Sequence, residues 1–174
     1  MKRIGIMGGT FNPIHKGHLA LAKAAQQEFA LDEVIFIPSG NPPHKAAGGV
    51  IDKELRCKMV QLALRGKKKF SVSRIELDRP GYSYAVDTFR ALTKKYGYRA
   101  KLFYIMGLDS INEILDWKKP LELFKLCSFI VFPRQKEDIS SSEIRAKLRA
   151  GRPVGRLVPK IVEEYISKYG LYKN

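Results

Sequence analysis

His15 and His18 stand three residues apart, shortly after a Gly8-Gly9 pair, in the stretch KRIGIMGGTFNPIHKGH that runs from Lys2 to His18. Residues at that spacing share one face of a helix, so two imidazoles can act together on one ligand. The segment before them is apolar (Ile4, Ile6, Met7) and the segment after them is amphipathic. That order predicts a strand, a glycine turn and a helix, which in α/β proteins puts a loop at the carboxyl end of a strand. A helix start presents unpaired N–H groups and the positive end of its dipole, so this loop suits an anion. Gly8 and Gly9 allow a phosphate close to the backbone, where a Cβ would hold it off. The chemistry implied is the handling of a polyphosphate. The glycines do not follow G-x-G-x-x-G, which argues against an ordinary dinucleotide-binding loop. An H-x-x-H pair can also serve a metal, but no third ligand of suitable type stands near it, and no metal site is predicted.

The elements that must position these residues follow from periodicity. Leu19 to Phe29 reads as a helix with Leu21, Ala24, Ala25 and Phe29 on its apolar stripe. Val34 to Ile37 reads as a short buried parallel strand. The proline-rich loop from Pro38 to Lys45 follows that strand, so it lies beside the first loop and brings the third histidine, His44, to the same end of the sheet. Asp52 is the N-cap of a helix with Leu55, Met59, Leu62 and Ala63 inward. Phe70 to Ile75 is a third strand. Ser83 suits the cap of a helix from Tyr84 to Tyr96, with Phe89 and Leu92 inward and Gly97 near its end. Lys101 to Met106 is a continuous apolar strand, followed by Gly107-Leu108-Asp109 at its carboxyl end. Ile111 to Leu115 and Leu121 to Leu126 read as short helices around Trp117, and Phe129 to Phe132 as the next strand. Ser140-Ser141-Ser142-Glu143 is a capping box that opens a helix ending near Gly151. Arg145 then lies near the positive end of that helix, where a cation is disfavoured unless an anion sits beside it. Pro159 opens a last helix through Ile161, Val162, Tyr165 and Ile166 to Gly170. Strands alternating with helices predict an α/β fold with a doubly wound parallel sheet. We read one domain over residues 1–174, with residues 140–174 as its helical C-terminal part.

Composition bounds the reading. The chain has 174 residues, 45% of them hydrophobic, which is enough for one real core. Its two cysteines, Cys57 and Cys127, form no disulfide framework, and the default for both is reduced and buried. No apolar run approaches the ~20 residues that span a bilayer, and the start of the chain lacks the apolar region of a signal peptide. A soluble cytoplasmic protein with no membrane partner is expected. The net charge of +15 is spread over both halves of the sequence and favours polyanionic partners.

The first loop is similar to that of the (H/T)xGH nucleotidyltransferase superfamily, G-[TS]-F-[DN]-P-x-H-x-G-H, which Thr10, Phe11, Asn12, Pro13, His15, Gly17 and His18 all match. Four further segments occur in order: NPPHK (Asn41 to Lys45), SYAVDT (Ser83 to Thr88), GLDS followed by Trp117, and ISSSEIR (Ile139 to Arg145). With them the chain resembles bacterial nicotinate mononucleotide adenylyltransferases over nearly its whole length. The resemblance implies a Rossmann-like domain that transfers the adenylyl group of ATP to nicotinate mononucleotide in NAD biosynthesis, giving deamido-NAD and pyrophosphate. It implies that His15 and His18 contact the ATP phosphates, helped by the backbone at Gly8, Gly9, Thr10 and Phe11. Ser140, Ser141 and Arg145 would hold the pyrophosphate, and Gly107 and Asp109 would meet the nucleotide ribose. Ser39, His44, Lys45, Tyr84, Ala85 and Trp117 would bind the mononucleotide, with Lys45 near its phosphate and Trp117 stacked on the pyridine. Mg²⁺ would ride on the ATP phosphates.

Two departures from the family pattern matter. Ala85 stands where the family commonly has Thr, so a hydroxyl for the nicotinate carboxylate is missing and the preference for acid over amide is open. The stretch from Arg134 to Ile139 is shorter than the family's usual connection, and we expect a segment to be missing from the sequence near Gln135-Lys136. Pantetheine-phosphate adenylyltransferase and glycerol-3-phosphate cytidylyltransferase share the first loop, but not NPPHK with a later GxDS and Trp. A basic nucleic-acid-binding domain is the alternative from another class. Against it, the aromatics are not interleaved with basic residues as a stacking strip requires. A homo-oligomer is compatible with the sequence.

Overall fold

In a computed structural model the chain is described over residues 1–42, 49–111, 113–133 and 139–173, apart from the side chain of Asp109. His44 and Lys45, and the Arg134 to Asp138 stretch where a missing segment was expected, lie outside the described residues. Five parallel strands, β1 (Lys2–Gly9), β2 (Glu33–Pro38), β3 (Phe70–Val72), β4 (Ala100–Gly107) and β5 (Ser128–Phe132), form one sheet in the order β3-β2-β1-β4-β5. The chain winds outward from β1 in one direction and returns to the other side at β4, so β1 and β4 are neighbours with no direct connection. Loops leaving their carboxyl ends diverge to opposite faces and open a crevice between them.

The apolar runs are continuous because both faces of the sheet are covered. Successive side chains alternate between the two faces. Ile4 and Ile6 of β1, Ile35 and Ile37 of β2 and Leu102 of β4 pack with Phe89 and Leu92 of α3 (Ala85–Tyr96) and Leu123 of α5 (Pro120–Leu126). Met7, Val34, Phe36, Phe103 and Ile105 point the other way. They pack against α1 (Lys16–Glu28), α2 (Lys53–Leu64), α6 (Ser141–Arg149) and α7 (Lys160–Lys168). A short α4 (Leu108–Ile111) follows β4.

The structure corrects several expected details. α1 starts at Lys16, three residues before the expected Leu19, because His15 caps it; its buried residues are Ala22 and Ala25, and Phe29 is exposed. Asp52 does cap α2, accepting from the amides of Glu54 and Leu55. The buried face of α2 is turned from the expected stripe: Arg56, Met59, Val60 and Ala63 are inside, while Leu55 and Leu62 are only half-buried. β3 stops at Val72, short of Ile75. Ser83 does not cap α3, whose N-cap Tyr84 makes no side-chain bond. The Ser83 hydroxyl instead accepts from the amides of Gly40 (3.0 Å) and Asn41 (3.2 Å), in the loop after β2. Cys57 is buried and Cys127 half-buried; both are free thiols. Among the described residues no helix is long and apolar enough to cross a membrane.

Glu76, between β3 and α3, is one of the few buried charged residues, and its Oε1 accepts from the Thr88 hydroxyl at 2.6 Å. Burial pushes its carboxyl above the usual value of 4.5, against the pull of the Thr88 and Ser83 hydroxyls and the Arg79 charge. A carboxyl raised in the folded state adds stability below its unfolded pKa and loses it as pH rises through the folded one. Glu76→Gln cannot titrate, so its melting temperature relative to the native protein should rise as pH is taken upward from about 4.5. Thermal melts across that range provide the check. A difference independent of pH, or one that falls, contradicts this account of Glu76.

Candidate active site

A cavity of about 660 Å³ opens at the carboxyl ends of β1 and β4. Gly8 and Gly9 line it from β1, Thr10 and Phe11 from the loop after it, and Tyr104, Met106 and Gly107 from β4. His15 and His18 from the start of α1, Ser141, Ser142 and Arg145 from α6, and Trp117 also line it. Two helix starts therefore converge on one crevice, each directing its dipole's positive end there.

The histidines cap α1 reciprocally. The His18 amide donates to His15 Nδ1 at 3.3 Å and the His15 amide donates to His18 Nδ1 at 3.2 Å. The rings stack with centroids 3.6 Å apart, and the Phe11 ring meets His18 edge-on at 5.0 Å. A backbone N–H can only donate, so each Nδ1 must be the unprotonated nitrogen of a neutral ring. The ring proton of each neutral imidazole is then on Nε2, which makes Nε2–H a donor. The pair thus arms a helix start with two donors in fixed orientation, a role that the i, i+3 spacing alone did not reveal.

Gly8 and Gly9 also pack closely against the protein's own rings. A Cβ on Gly8 would come within 3.2 Å of the Tyr104 hydroxyl, and one on Gly9 within 3.1 Å of the Phe11 ring. Both rings form cavity wall, so the glycines serve the site by letting the wall close up.

Arg145 does not point away into water. Its Nη1 donates to the Asn12 carbonyl at 2.9 Å and its Nη2 to the Ser142 hydroxyl at 3.2 Å, which holds the guanidinium on the cavity wall. Ser141 donates to the Pro13 carbonyl at 2.9 Å, joining α6 to the first loop. Ser140 is the cap of α6, accepting from the Glu143 amide at 3.1 Å, and Ser142 lines the cavity where Ser140 does not. Trp117 is half-buried on the wall with its ring centroid 6.0 Å from that of Tyr104. Ser39, Tyr84 and Ala85 do not line this cavity. Ser39 is buried with no partner for its hydroxyl among the described residues, and Tyr84 lies under the Lys118 ammonium, 4.3 Å from its ring centre.

Asn12 matches the first-loop motif, and its structural task emerges only here. It is buried, and its Oδ1 accepts from the Tyr172 hydroxyl (2.9 Å) and the Ile51 amide (3.4 Å) while its Nδ2 donates to the Gly49 carbonyl (2.7 Å). An aspartate would offer no donor to Gly49. The Asn12 amide ties the C-terminal segment and the start of α2 to the loop that carries the histidines.

Known proteins resemble this chain in sequence and in fold. Residues 6–147 match the cytidylyltransferase-like family model. A protein of Thermoanaerobacter sp. named probable nicotinate-nucleotide adenylyltransferase is 43% identical, over 98% of this chain and 94% of its own length. A Moorella thermoacetica protein of the same name is 43% identical over 98% of this chain and 92% of its own. The Thermoanaerobacter alignment runs over 199 positions, against a chain of 174 residues, so that relative carries internal residues this chain does not. Among solved structures, a Vibrio parahaemolyticus protein named for the same activity superposes with a TM-score of 0.84 at 23% identity, covering 100% of this chain and 97% of that one. The Plasmodium falciparum nicotinic acid mononucleotide adenylyltransferase complexed with NaAD gives 0.82 at 18% identity, covering 99% and 98%. At these identities the structures establish the fold, while the full-length sequence relatives establish kinship. The chain belongs to the nicotinate-nucleotide adenylyltransferase family.

Proposed function

We propose that the chain transfers the adenylyl group of ATP to nicotinate mononucleotide, giving deamido-NAD and pyrophosphate. The observation that carries this reading is the reciprocally capped histidine pair on a cavity wall that also holds Arg145. An oxygen of the mononucleotide 5′-phosphate attacks the α-phosphorus of ATP. The bond from that phosphorus to the α,β-bridging oxygen breaks, and pyrophosphate leaves with the electron pair. A phosphate monoester has its second pKa at ~6 and is largely dianionic at neutral pH, so the nucleophile needs no general base. The protein has to align two anions that repel each other and to stabilise charge at the reacting phosphates. Alignment in a near-attack geometry can supply ~7–11 kcal/mol, and each well-aimed donor ~3–4 kcal/mol.

In this reading the Nε2–H groups of His15 and His18, with amides from Gly9 to Phe11, serve the ATP phosphates. Arg145 and Ser141 hold the outgoing pyrophosphate, and Ser140 supports them by capping their helix. Gly107 and Asp109 meet the ATP ribose, and Trp117, backed by Tyr104, offers the pyridine a flat wall. Ser39, His44, Lys45, Tyr84 and Ala85 are assigned to the mononucleotide side. Among the described residues there is no group of three histidine, cysteine or acidic side chains that could hold a metal. In this reading Mg²⁺ arrives on the ATP phosphates, where it would neutralise charge. A soluble enzyme in the cytoplasm fits the same reading.

The test is pyrophosphate release from ATP with nicotinate mononucleotide, the amide mononucleotide or phosphopantetheine as acceptor. Turnover with a pyridine mononucleotide and none with phosphopantetheine is expected, and the reverse pattern overturns the proposal. His15→Ala and His18→Ala should each lower kcat by ~10²-fold or more while changing KM less, since the donors act mainly in the transition state. A variant of either with near-native kcat would remove that histidine from the mechanism. Trp117→Ala should raise KM for the mononucleotide about tenfold, as expected for the loss of ~1–3 kcal/mol of stacking, and leave KM for ATP unchanged. An equal effect on both substrates would make Trp117 a structural residue.

A further inference from the structure

Arg56 is 1% exposed on the inner face of α2 and forms no ion pair among the described residues. Burial depresses the pKa of its guanidinium, and its four hydrogen bonds among the described residues all go to backbone carbonyls. Nη1 donates to Thr10 O (2.6 Å), Nη2 to Ser39 O (2.8 Å) and Gly40 O (3.3 Å), and Nε to Ile51 O (3.1 Å). One side chain thus grips the loop after β1, the loop after β2 and the segment leading into α2. A buried cation is costly without a carboxylate, so so many carbonyls turned toward one guanidinium call for an explanation beyond packing.

The geometry of the peptide unit supplies one. In a planar trans peptide the C=O of one residue and the N–H of the next point in opposite directions. Holding a carbonyl therefore aims the following amide the other way. In the loop after β2 this can be checked: Arg56 holds the Ser39 and Gly40 carbonyls, and the amides behind them, Gly40 N–H and Asn41 N–H, both donate to the Ser83 hydroxyl. In the loop after β1 Arg56 holds the Thr10 carbonyl in the same manner, which turns the Phe11 N–H away from Arg56. Thr10 and Phe11 line the cavity, and among the described residues no hydrogen bond uses the Phe11 amide.

We propose that Arg56 is a positioning residue for adenylyl transfer, aiming the Phe11 amide at a phosphate of the bound nucleotide and fixing the first loop against the second. The bound anion does for Phe11 N–H what Ser83 does for Gly40 and Asn41. The guanidinium never touches substrate. It also leaves a fixed positive charge behind the loop, which the polyphosphate on the far side complements. This inference rests on the cavity being the adenylyl-transfer site.

The test combines spectra and kinetics. In the native protein labelled with ¹⁵N, inorganic tripolyphosphate should move the Phe11 amide proton downfield, as expected for a new bond to an anionic oxygen. Arg56→Lys keeps the charge but cannot reach three segments at once. It should lose that shift, and at a temperature where it is fully folded its kcat should fall by ~10²-fold with KM for ATP changed by less than about threefold. Arg56→Gln, uncharged and shorter, is the second variant should the lysine protein fail to fold, and the same losses are expected of it. A packing role alone would lower the melting temperature and leave the Phe11 response intact. The proposal is overturned if the native Phe11 amide ignores tripolyphosphate, or if a folded Arg56 variant keeps both the shift and kcat. Should that happen while His15→Ala still lowers kcat by ~10²-fold or more, the site stands and only the role of Arg56 falls. Loss of neither function in the His15 and Arg56 variants would instead move the site elsewhere.

Discussion

The amides of His15 and His18 each donate to the other residue's Nδ1, and much of the active-site geometry depends on that exchange. It ends the first loop, starts α1 and fixes which nitrogen of each ring carries the proton. The loop is held from behind as well. Asn12 bonds to Gly49, Ile51 and Tyr172, Arg145 bonds to the Asn12 carbonyl, and the Lys16 amide donates to Leu157 at 2.8 Å. Gly49, Ile51, Arg145, Leu157 and Tyr172, all distant in sequence from the first loop, therefore converge on Asn12 and Lys16. In the proposed mechanism this loop serves the ATP phosphates, and bonds from distant segments hold it in place for that role.

Topology explains why these groups meet at all. The sheet changes winding direction between β1 and β4, which leaves a crevice that no crossover helix covers. α1 begins directly after β1 and α6 after β5, so both helices start at the same rim. The protein-side charge on the cavity is positive: Arg145 and two helix starts line it. Arg56 adds a charge from beneath. The chain's overall excess of basic groups acts at longer range in the same direction, drawing polyanions toward the molecule.

Much of this was legible in the sequence, and the parts that were not share a cause. The caps at Asp52 and Ser140 could be read because each serves an amide two or three residues away. Ser83 looked equally like a cap, yet its hydroxyl serves amides more than forty residues earlier, and nothing local distinguishes the two uses. His15 was marked for its chemistry and not as a cap, since imidazole is not among the usual capping side chains. Arg56 was missed because a helical stripe is drawn through apolar residues; the Leu55 stripe and the true buried face differ by one position on the helix. A charged residue in register with Met59, Val60 and Ala63 is the signal that would have exposed it. Trp117 was found only through family resemblance, and the structure puts it on the cavity wall beside Tyr104.

The account stands or falls on the histidine tautomers, because the cap and the donor function are the same fact seen from the two sides of each ring. Nitrogen-detected correlation spectra of the protein with ¹⁵N-labelled histidine read each ring nitrogen directly at neutral pH. We expect Nδ1 of both His15 and His18 to be unprotonated and Nε2 of both to carry the proton, in the free protein and with ATP bound. A proton on Nδ1 of either ring would break the reciprocal cap and leave that histidine without the donor that the mechanism assigns to it.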